Sequence, residues 1–292
     1  MTVTTAATDR TVGLFGPGSM AWRIDREVLV LGGGTCALLL QLAHPAVAAG
    51  VAQHSTFRDD PFARLRRTLT ATMAVVFGTQ AQADRAIRRI NAIHGAVRGS
   101  IPETGAAYDA RDPRLLLWVH ATLVNTTLRI YDRFVAPLTP DEAQAYHAEA
   151  RQIAIRLGIP PDAVPATLPE LRAFMAGMVA SGEVAVSPTA RELSAAVRYP
   201  TSFPPRFLWE VAHLASDSVL HPDLRRQYAI PWSARREAGV ERMAAASRRL
   251  LPLVPAALRF VPQARTAERR AASRRSPSRP VSSSRPPSVP LT

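Results

Sequence analysis

The sequence predicts an all-α protein, with about nine to eleven helices over residues 20–260. Apolar residues recur at three- and four-residue spacing through most of this region, as they do on the buried face of a helix. Helix-start signals, in which a capping residue stands before a proline, recur at Asp112-Pro113 and Thr139-Pro140. No run alternates apolar and polar residues over the length of a strand, and no Asn-Gly or Asp-Gly pair predicts a hairpin turn.

The first strongly apolar segment, residues 28–51, is long enough to span a membrane. It contains three consecutive glycines together with Gln41, His44 and Pro45, and polar groups are costly in the middle of a bilayer. We therefore predict a buried core helix that starts after Gly34 and ends near Pro45, followed by a second short turn of helix.

The later helices follow from periodicity and from their end signals. Asp60-Pro61 predicts the start of one helix, Gly78 its end, and Gly158 the end of another. The predicted helices after the first cover residues 62–77, 81–97, 114–135, 140–157, 168–179, 189–197, 204–213 and 233–251.

The C-terminal segment differs in composition from the rest of the chain. Residues 265–292 hold seven arginines, one glutamate and no aromatic residue, and end in a run rich in Ser and Pro. Such a segment cannot bury enough apolar surface to offset the entropy lost on ordering. We expect a flexible N-terminal segment 1–20, a helical domain 21–260 and a disordered Arg/Ser/Pro-rich tail 261–292. Without aromatic side chains on which bases could stack, no specific nucleic acid partner is expected, and weak contact with anionic surfaces remains open.

The composition excludes several mechanisms. All 36 basic residues of the 292-residue chain are arginines, and the formal net charge is +13. Without lysine there is no Walker A loop, no Schiff base to pyridoxal phosphate and no protein kinase site. Cys36 is the single cysteine, which excludes an internal disulfide and any multi-cysteine zinc or iron–sulfur site. Residues 1–26 contain charged residues and no continuous apolar run, so we expect no secretory signal and a cytoplasmic location.

Other common site motifs are missing. The sequence has no Gly-x-Ser-x-Gly elbow and no His-Glu-x-x-His. A di-iron bundle needs two Glu-x-x-His motifs, and the chain has one, Glu210 to His213, which matches at the level of chance.

Three histidines, His44, His94 and His120, stand in apolar helical segments. A buried histidine taken alone is usually a core residue satisfied by a hydrogen bond. Three of them in one domain favour a further hypothesis, because haem needs little more than one neutral imidazole that projects from a helix into an apolar pocket. His94 suits this role, and Gly95 beside it would let a flat macrocycle approach the helix.

Arg64 and Thr68 are four residues apart and therefore share a helix face. With Arg66 and Arg67 they can form a solvated face. Alternatively, they can supply a cation and a hydroxyl donor to a propionate or an anionic substrate.

The ordered combination of these motifs resembles the family of the latex-clearing protein (rubber oxygenase) and of the endoplasmic-reticulum oxygenase of mycophenolic acid biosynthesis. The similarity covers about residues 20–235. It is carried by His44-Pro45, Gly50-Val51, His54-Ser55, Asp60-Pro61-Phe62-Ala63-Arg64-Leu65-x-x-Thr68, Phe77-Gly78, Ile93-His94-x-x-Val97-x-Gly99, Tyr108-x-Ala110-x-Asp112-Pro113, Leu117-Trp118-Val119-His120-Ala121-Thr122-Leu123 and Leu138-Thr139-Pro140.

The resemblance implies a mostly helical haem b protein that uses O₂, with a single globin-like multi-helix domain and a buried haem pocket. By motif, His94 would be the proximal iron ligand, and Arg64 and Thr68 would match the arginine–threonine pair near the haem. His44, His54 and His120 match recurring positions and are added to the candidate cofactor site.

Two departures from the family narrow the expectation. Arg67 stands where the latex-clearing enzyme has a distal lysine, and it stays protonated. No glutamate lies between Glu27 and Glu103, so the glutamate base of that enzyme has no counterpart. With no secretory signal expected, an extracellular polymer is not the expected substrate.

We therefore predict a haem b-dependent oxygenase acting with O₂ on a small apolar substrate, for which an isoprenoid is one candidate. A non-catalytic haem-binding sensor or carrier on the same scaffold is the first alternative. A helical scaffold without cofactor, whose Arg-rich tail binds an acidic partner, is the second.

Overall fold

The computed structural model describes residues 13–55, 61–199 and 205–275, with the backbone alone for residues 61–67, 208, 274 and 275. Helices dominate the described chain, so the predicted all-α class is confirmed, although the short helices make the number larger than expected. The helices are α1 (Met20–Asp25), α2 (Gly34–Leu42), α3 (Pro45–His54), α4 (Pro61–Phe77), α5 (Gln80–Ala96), α6 (Pro113–Ile130), α7 (Pro140–Arg156), α8 (Leu168–Ala180), α9 (Pro188–Arg198), α10 (Arg206–Val219), α11 (Pro222–Gln227), α12 (Ala234–Leu250), α13 (Ala256–Arg259) and α14 (Pro262–Arg275). The 3₁₀ turns Val28–Gly33 and Leu251–Leu253 and the π-helical turn Tyr131–Val135 complete the helical structure.

One small sheet was not predicted. Strands β1 (Arg98–Ser100) and β2 (Ala107–Asp109) pair antiparallel, with Gly99 opposite Tyr108. Three residues are too few to show an alternating pattern, and the turn between the strands relies on Gly105, with φ of 71°, instead of an Asn-Gly or Asp-Gly pair.

Helix starts follow the predicted caps. The side chain of Asp112 accepts a hydrogen bond from the backbone N–H of Arg114 at 2.7 Å, at the start of α6. At α7, the Thr139 hydroxyl accepts from the N–H of Glu142 at 3.2 Å, and the Glu142 carboxylate accepts from the N–H of Thr139 at 3.0 Å. These bonds satisfy backbone donors that a helix leaves unpaired at its first turn.

The first apolar segment forms the 3₁₀ turn, α2 and α3. Leu39 and Leu42 of α2 are fully buried, and the carbonyl of Leu40 accepts from the indole N–H of Trp118 at 3.1 Å. The core helix predicted here is therefore confirmed. In the described chain, no single helix has the length and apolar character to cross a bilayer; Val28–Leu42 and Pro45–His54 meet that test only as a pair, bent by 105°.

Helix α6 packs into two apolar clusters. One joins it to α1, α4, α7, α8 and α14, with Trp22, Phe77 and Leu128 among its buried members. The other joins it to α2, α9, α10 and α12, with Leu39 and Leu193. A helix buried on both sides has apolar residues nearly all round, which is why 114–135 reads as an almost continuous apolar run.

The predicted start of the tail at residue 261 differs from the structure, because α14 continues to Arg275. Ala264 and Ala267 are buried, and the guanidinium of Arg270 donates to the carbonyl of Phe77 at 2.6 Å. Small alanines three residues apart let α14 approach α4 closely, and Arg269 on the same helix is exposed. Residues 276–292 of the predicted tail and residues 1–12 of the predicted N-terminal segment lie outside the described residues.

The N-terminal segment meets the connection between α4 and α5. Gly13 has a φ of 88°, and a Cβ atom there would lie 2.1 Å from the carbonyl oxygen of Gly78. Only glycine allows both this conformation and this backbone contact.

Candidate functional site

Helices α4 and α5 form an antiparallel hairpin. Gly78 and Thr79 alone connect them, and the two helices pack against each other. Thr79 caps α5 reciprocally with Gln82: its hydroxyl accepts from the N–H of Gln82 at 3.3 Å, and the Gln82 side chain accepts from the N–H of Thr79 at 2.8 Å. Two packed helices of equal length joined by only two residues run roughly antiparallel, so the start of α4 and the end of α5 lie on the same side of the hairpin. We call this the open end (residues 61–68 and 93–96), and residues 73–87 the closed end.

Three predicted site residues lie on the helical segments of the open end. Arg64 and Thr68 lie in the first two turns of α4, and His94 lies in the last turn of α5. Thr68 is exposed, whereas the side chains of Arg64 and Arg67 lie outside the described part of the chain. Arg64 and His94 are 30 residues apart in the sequence, and the two-residue connection turns the chain back so that they lie on the same side of the hairpin.

His94 has an uncommitted imidazole. The residue is half-buried, and its Nδ1 is buried without a hydrogen-bond partner among the described residues. Burial lowers the pKa of His94, so the ring is neutral at neutral pH and keeps a free lone pair. A Cβ atom added at Gly95 would meet nothing within 4 Å, so open space lies beside the helix. A neutral imidazole beside open space is what an iron ligand requires.

Helix α3 and the small sheet lie next to the end of α5. The Nε2 of His54, the last residue of α3, is 2.9 Å from the carbonyl oxygen of Arg98 in β1. Gly50 faces Val97 and Tyr108, and the Tyr108 hydroxyl donates to Gln53 at 2.7 Å. His54 is exposed, and its contact with Arg98 ties it to the strand that follows the end of α5.

His44 lies at the opposite end of α3, about 15 Å away by the rise of the helix. It begins α3, and its Nδ1 accepts from the N–H of Ala46 at 3.2 Å. Its Nε2 is 3.8 Å from a carboxylate oxygen of Glu183, which Arg114 also binds. Burial is the main cause of the lowered pKa of His44. The ring of His44 thus helps to cap a helix.

His120 is buried in α6, apart from the hairpin. Its Nε2 has no hydrogen-bond partner within the described ranges, and burial lowers its pKa to about 4, with a further contribution from His147. His147 of α7 is fully buried, and its Nε2 is 3.0 Å from the carbonyl oxygen of Pro165. Two neutral imidazoles therefore lie inside the α6–α7 packing.

A buried polar cluster between α9 and α10 escaped the sequence analysis. Arg198 and Asp217 are almost fully buried and form a bidentate pair at 2.6 and 3.1 Å. The ring of His213 is 2.8 Å from the carbonyl oxygen of Arg198, and Tyr199 donates to Glu210. Both ends of the Glu-x-x-His match are thus engaged in this network. One sign of this cluster is visible in the sequence: Asp217 stands among the apolar residues of its helix.

No group of three or more His, Cys, Asp or Glu side chains in residues 13–55, 61–199 and 205–275 is arranged to hold a metal ion. Haem asks less of the protein, because the macrocycle supplies four of the iron ligands and one imidazole can supply a fifth.

Comparisons with known proteins identify the family of the chain. The model of the family described as ER-bound oxygenase mpaB/B'/rubber oxygenase, catalytic domain, matches residues 22–249. The uncharacterized protein Rv2237 of Mycobacterium tuberculosis and the uncharacterized protein Mb2261 of Mycobacterium bovis are each 31% identical over 129 residues, 42% of this chain and 49% of theirs.

The matched segment spans about half the length of these curated relatives. No solved structure matches the chain. The family match includes α4, α5 and every candidate histidine, and it covers well over half of the sequence. The chain therefore belongs to the family of oxygenase catalytic domains that includes the ER-bound oxygenase mpaB/B' and rubber oxygenase.

Proposed function

We propose that the protein is a haem b-dependent oxygenase, an oxidoreductase that uses O₂ to oxidise a small apolar substrate, such as an isoprenoid, or to cleave its carbon–carbon double bond. Family membership supports the oxygenase class. The observation that carries the haem assignment is the Nδ1 of His94, which has no hydrogen-bond partner among the described residues, together with the open space beside the neighbouring Gly95.

His94 differs from most other histidines of the chain. Five histidines use a ring nitrogen within the protein: His44, His54, His147, His213 and His221. His94 and His120 make no such hydrogen bond in the described structure. His120 is only 8% exposed inside the helix packing, whereas His94 is half-buried at a helix end. A flat macrocycle can therefore approach His94 without parting two helices.

Bound haem b would supply O₂ activation, which no side chain of this protein can perform. His94 would hold the iron through a neutral ring nitrogen. Arg64 would provide a permanent positive charge for a propionate, and Thr68 a hydroxyl donor beside it. Arg67 would act as a charge and not as an iron ligand, because it stays protonated. His54 contacts the strand that follows α5, whereas His44 caps the start of α3 and His120 is buried in α6.

Absorption spectroscopy of the full chain, expressed with haem supply, tests the assignment. The wild-type protein should show a strong Soret band. His94→Ala should lose most of its haem per protein, and added free imidazole should restore part of it, because imidazole can take the place of the deleted ring. The matched control is His221→Asn, which keeps a capping side chain at the start of α11 and should keep the Soret band.

Two results would contradict the assignment. One is a His94→Ala protein that retains haem as fully as the wild type. The other is a wild-type protein that has no Soret band and contains no iron by elemental analysis.

A haem-binding sensor or carrier without turnover is the second candidate. It is favoured by the missing glutamate base: Glu27 is buried and bound to Arg259, and Glu103 is exposed and accepts from the N–H of Thr189 at 3.1 Å. Incubation of the haem-loaded protein with a prenylated probe under O₂ separates the two. Consumption of O₂ and probe supports the oxygenase, whereas a reversible spectral change without consumption supports the sensor.

A further inference from the structure

A convex apolar surface lies where the chain passes from α12 to α14. Leu250, Leu253 and Leu258 expose 59, 78 and 73% of their surface. Leu251 between them is buried and anchors the segment in the core. We call residues 250–258 the leucine arc. Its apolar side chains thus point both inward and outward, and large apolar side chains that stay exposed together often mark an interaction surface.

The leucine arc is held in place by contacts with the N-terminal part of the chain. Arg259 donates to both carboxylate oxygens of the buried Glu27, at 2.6 to 3.1 Å, and Glu27 and Phe260 form a β-bridge. Helix α13 packs against the 3₁₀ turn that carries Val28 and Leu29, each 39% exposed. These two side chains extend the apolar surface, and the ion pair keeps it ordered without a partner.

Basic residues surround the leucine arc. Residues 242–275 contain nine arginines, and Glu268 is the single acidic residue among them. Arg242, Arg249 and Arg269 are exposed. An apolar tip within a basic border has the composition of helices and loops that lie at a membrane surface.

An open cleft of about 430 Å³ lies beside this segment, and Arg129, Asp132, Arg133 and Arg248 are among the residues that line it. Arg248 is two residues before Leu250, so the cleft borders the leucine arc. Glu237 and Glu241 are both bound to Arg133 and balance part of its charge. Asp132 also lines the cleft, so its arginines add little net charge, and the basic border consists of the exposed arginines of α12 and α14, Arg242, Arg249 and Arg269.

We propose that the leucine arc docks on the surface of an anionic lipid bilayer, with its leucines between the headgroups and the acyl chains and its arginines on the lipid phosphates. Leucine contributes little to protein–protein hot spots, where Trp, Tyr and Arg dominate, and residues 250–258 contain no aromatic side chain. Acyl chains accept isolated leucines without any shape match, and phosphates favour guanidinium groups. The proposal does not depend on haem binding.

Co-sedimentation of the full chain with vesicles tests the proposal. The protein should bind vesicles of phosphatidylcholine with phosphatidylserine more tightly than vesicles of phosphatidylcholine alone, and less tightly at high salt. The double variant L253S/L258S should bind at least about tenfold more weakly, because two leucine side chains no longer leave water. The matched control L123S replaces a leucine that is 46% exposed on α6 and should bind like the wild type.

A second measurement reads the position of the leucine arc directly. Cys36 is buried and burial raises its pKa to about 12, so an added surface cysteine can be labelled selectively in the native protein. A polarity-sensitive fluorophore on Leu253→Cys should shift to the blue when anionic vesicles are added. The same fluorophore on Leu123→Cys should not shift.

Several outcomes would overturn the proposal. The first is a wild-type protein that does not bind anionic vesicles at low salt. The second is full binding by L253S/L258S together with an unshifted label at position 253. The third is loss of binding only in R279Q/R285Q, which would assign the membrane contact to the C-terminal tail. Conversion of a dimer to a monomer by L253S/L258S, without any vesicle binding, would make the arc an interface between copies of the chain.

Discussion

The two ends of the α4–α5 hairpin are built differently. At the closed end Val76 and Phe77 are buried, the indole N–H of Trp22 donates to the carbonyl of Val76 at 3.1 Å, and the Trp22 and Phe77 rings lie 5.6 Å apart. Helix α14 adds the hydrogen bond from Arg270 to the carbonyl of Phe77. Backbone and side chains there are both occupied.

At the open end the same two helices are sparsely packed. Thr68 is exposed, Ile93 is 55% exposed, His94 has no partner for its ring within the described structure, and Gly95 faces open space. The comparison shows that the packing of a single hairpin changes from one end to the other. The closed end contributes to the core, whereas the open end has exposed side chains and open space beside Gly95.

Phe77→Ala should give the largest effect, because it breaks the closed end. The side chain is 2% exposed and packs on Trp22, so its removal leaves a cavity and should lower the free energy of unfolding by about 3–5 kcal/mol. Chemical denaturation followed by far-ultraviolet circular dichroism measures this. A loss below about 1 kcal/mol would show that the closed end is not a stabilising core.

Asp25→Asn should have an intermediate effect that depends on pH. Asp25 ends α1, which packs on α4, and burial raises the pKa of its carboxyl to about 7, although Tyr146 donates to it at 3.0 Å. Between the ordinary value and about 7 the folded state keeps a proton that the unfolded chain loses, so the stability of the wild type falls as pH rises through this window.

Asparagine removes that titration and can still accept from Tyr146. The variant should be up to about 4 kcal/mol more stable than the wild type at about pH 7, and nearly equally stable near pH 4. Thermal melts over this pH range check the prediction. His94 and His120, whose pKa values burial lowers, act in the opposite sense and should make Asp25→Asn lose stability steadily on acidification. A difference between variant and wild type that does not change with pH would contradict the raised pKa.

His94→Ala should have the smallest effect on the stability of the haem-free protein. The ring makes no hydrogen bond within the described structure, and alanine favours the helix, so the change should be within about 0.5 kcal/mol. Denaturation of both proteins without haem measures it. A loss comparable to that of Phe77→Ala would mean that the open end also contributes to the core, and the comparison of the two ends would fail.

Local signals in the sequence were sufficient for the long helices. The caps at Asp112 and Thr139 lie within a few residues of the groups they satisfy, so they are visible without tertiary structure. Helix α14 was missed because its buried alanines, Ala264 and Ala267, stand among arginines that dominate the composition. The strands β1 and β2 were missed because they are too short to show a period.

The sequence was enough to name the candidate site residues, but not to show how they are arranged in space. The motif resemblance named Arg64, Thr68 and His94, yet only the two-residue connection shows that they lie at one end of a hairpin. The Nδ1 of His94 has no hydrogen-bond partner among the described residues. The sequence alone could not show this, because it does not say which groups surround a side chain. The pair of Arg198 and Asp217 was invisible for the converse reason, since it joins two helices through space.

The close contact between Gly13 and Gly78 fixes the α4–α5 hairpin at its turn, and both helices extend from this fixed end. His94 lies sixteen residues from Gly78, about 24 Å along the helix, so a rotation of about 5° at the fixed end would move the ring by about 2 Å. A small change at the turn would therefore shift His94 relative to the residues around it, although the turn lies far from His94. Substitutions around the N-terminal segment would tune the site without changing one of its residues.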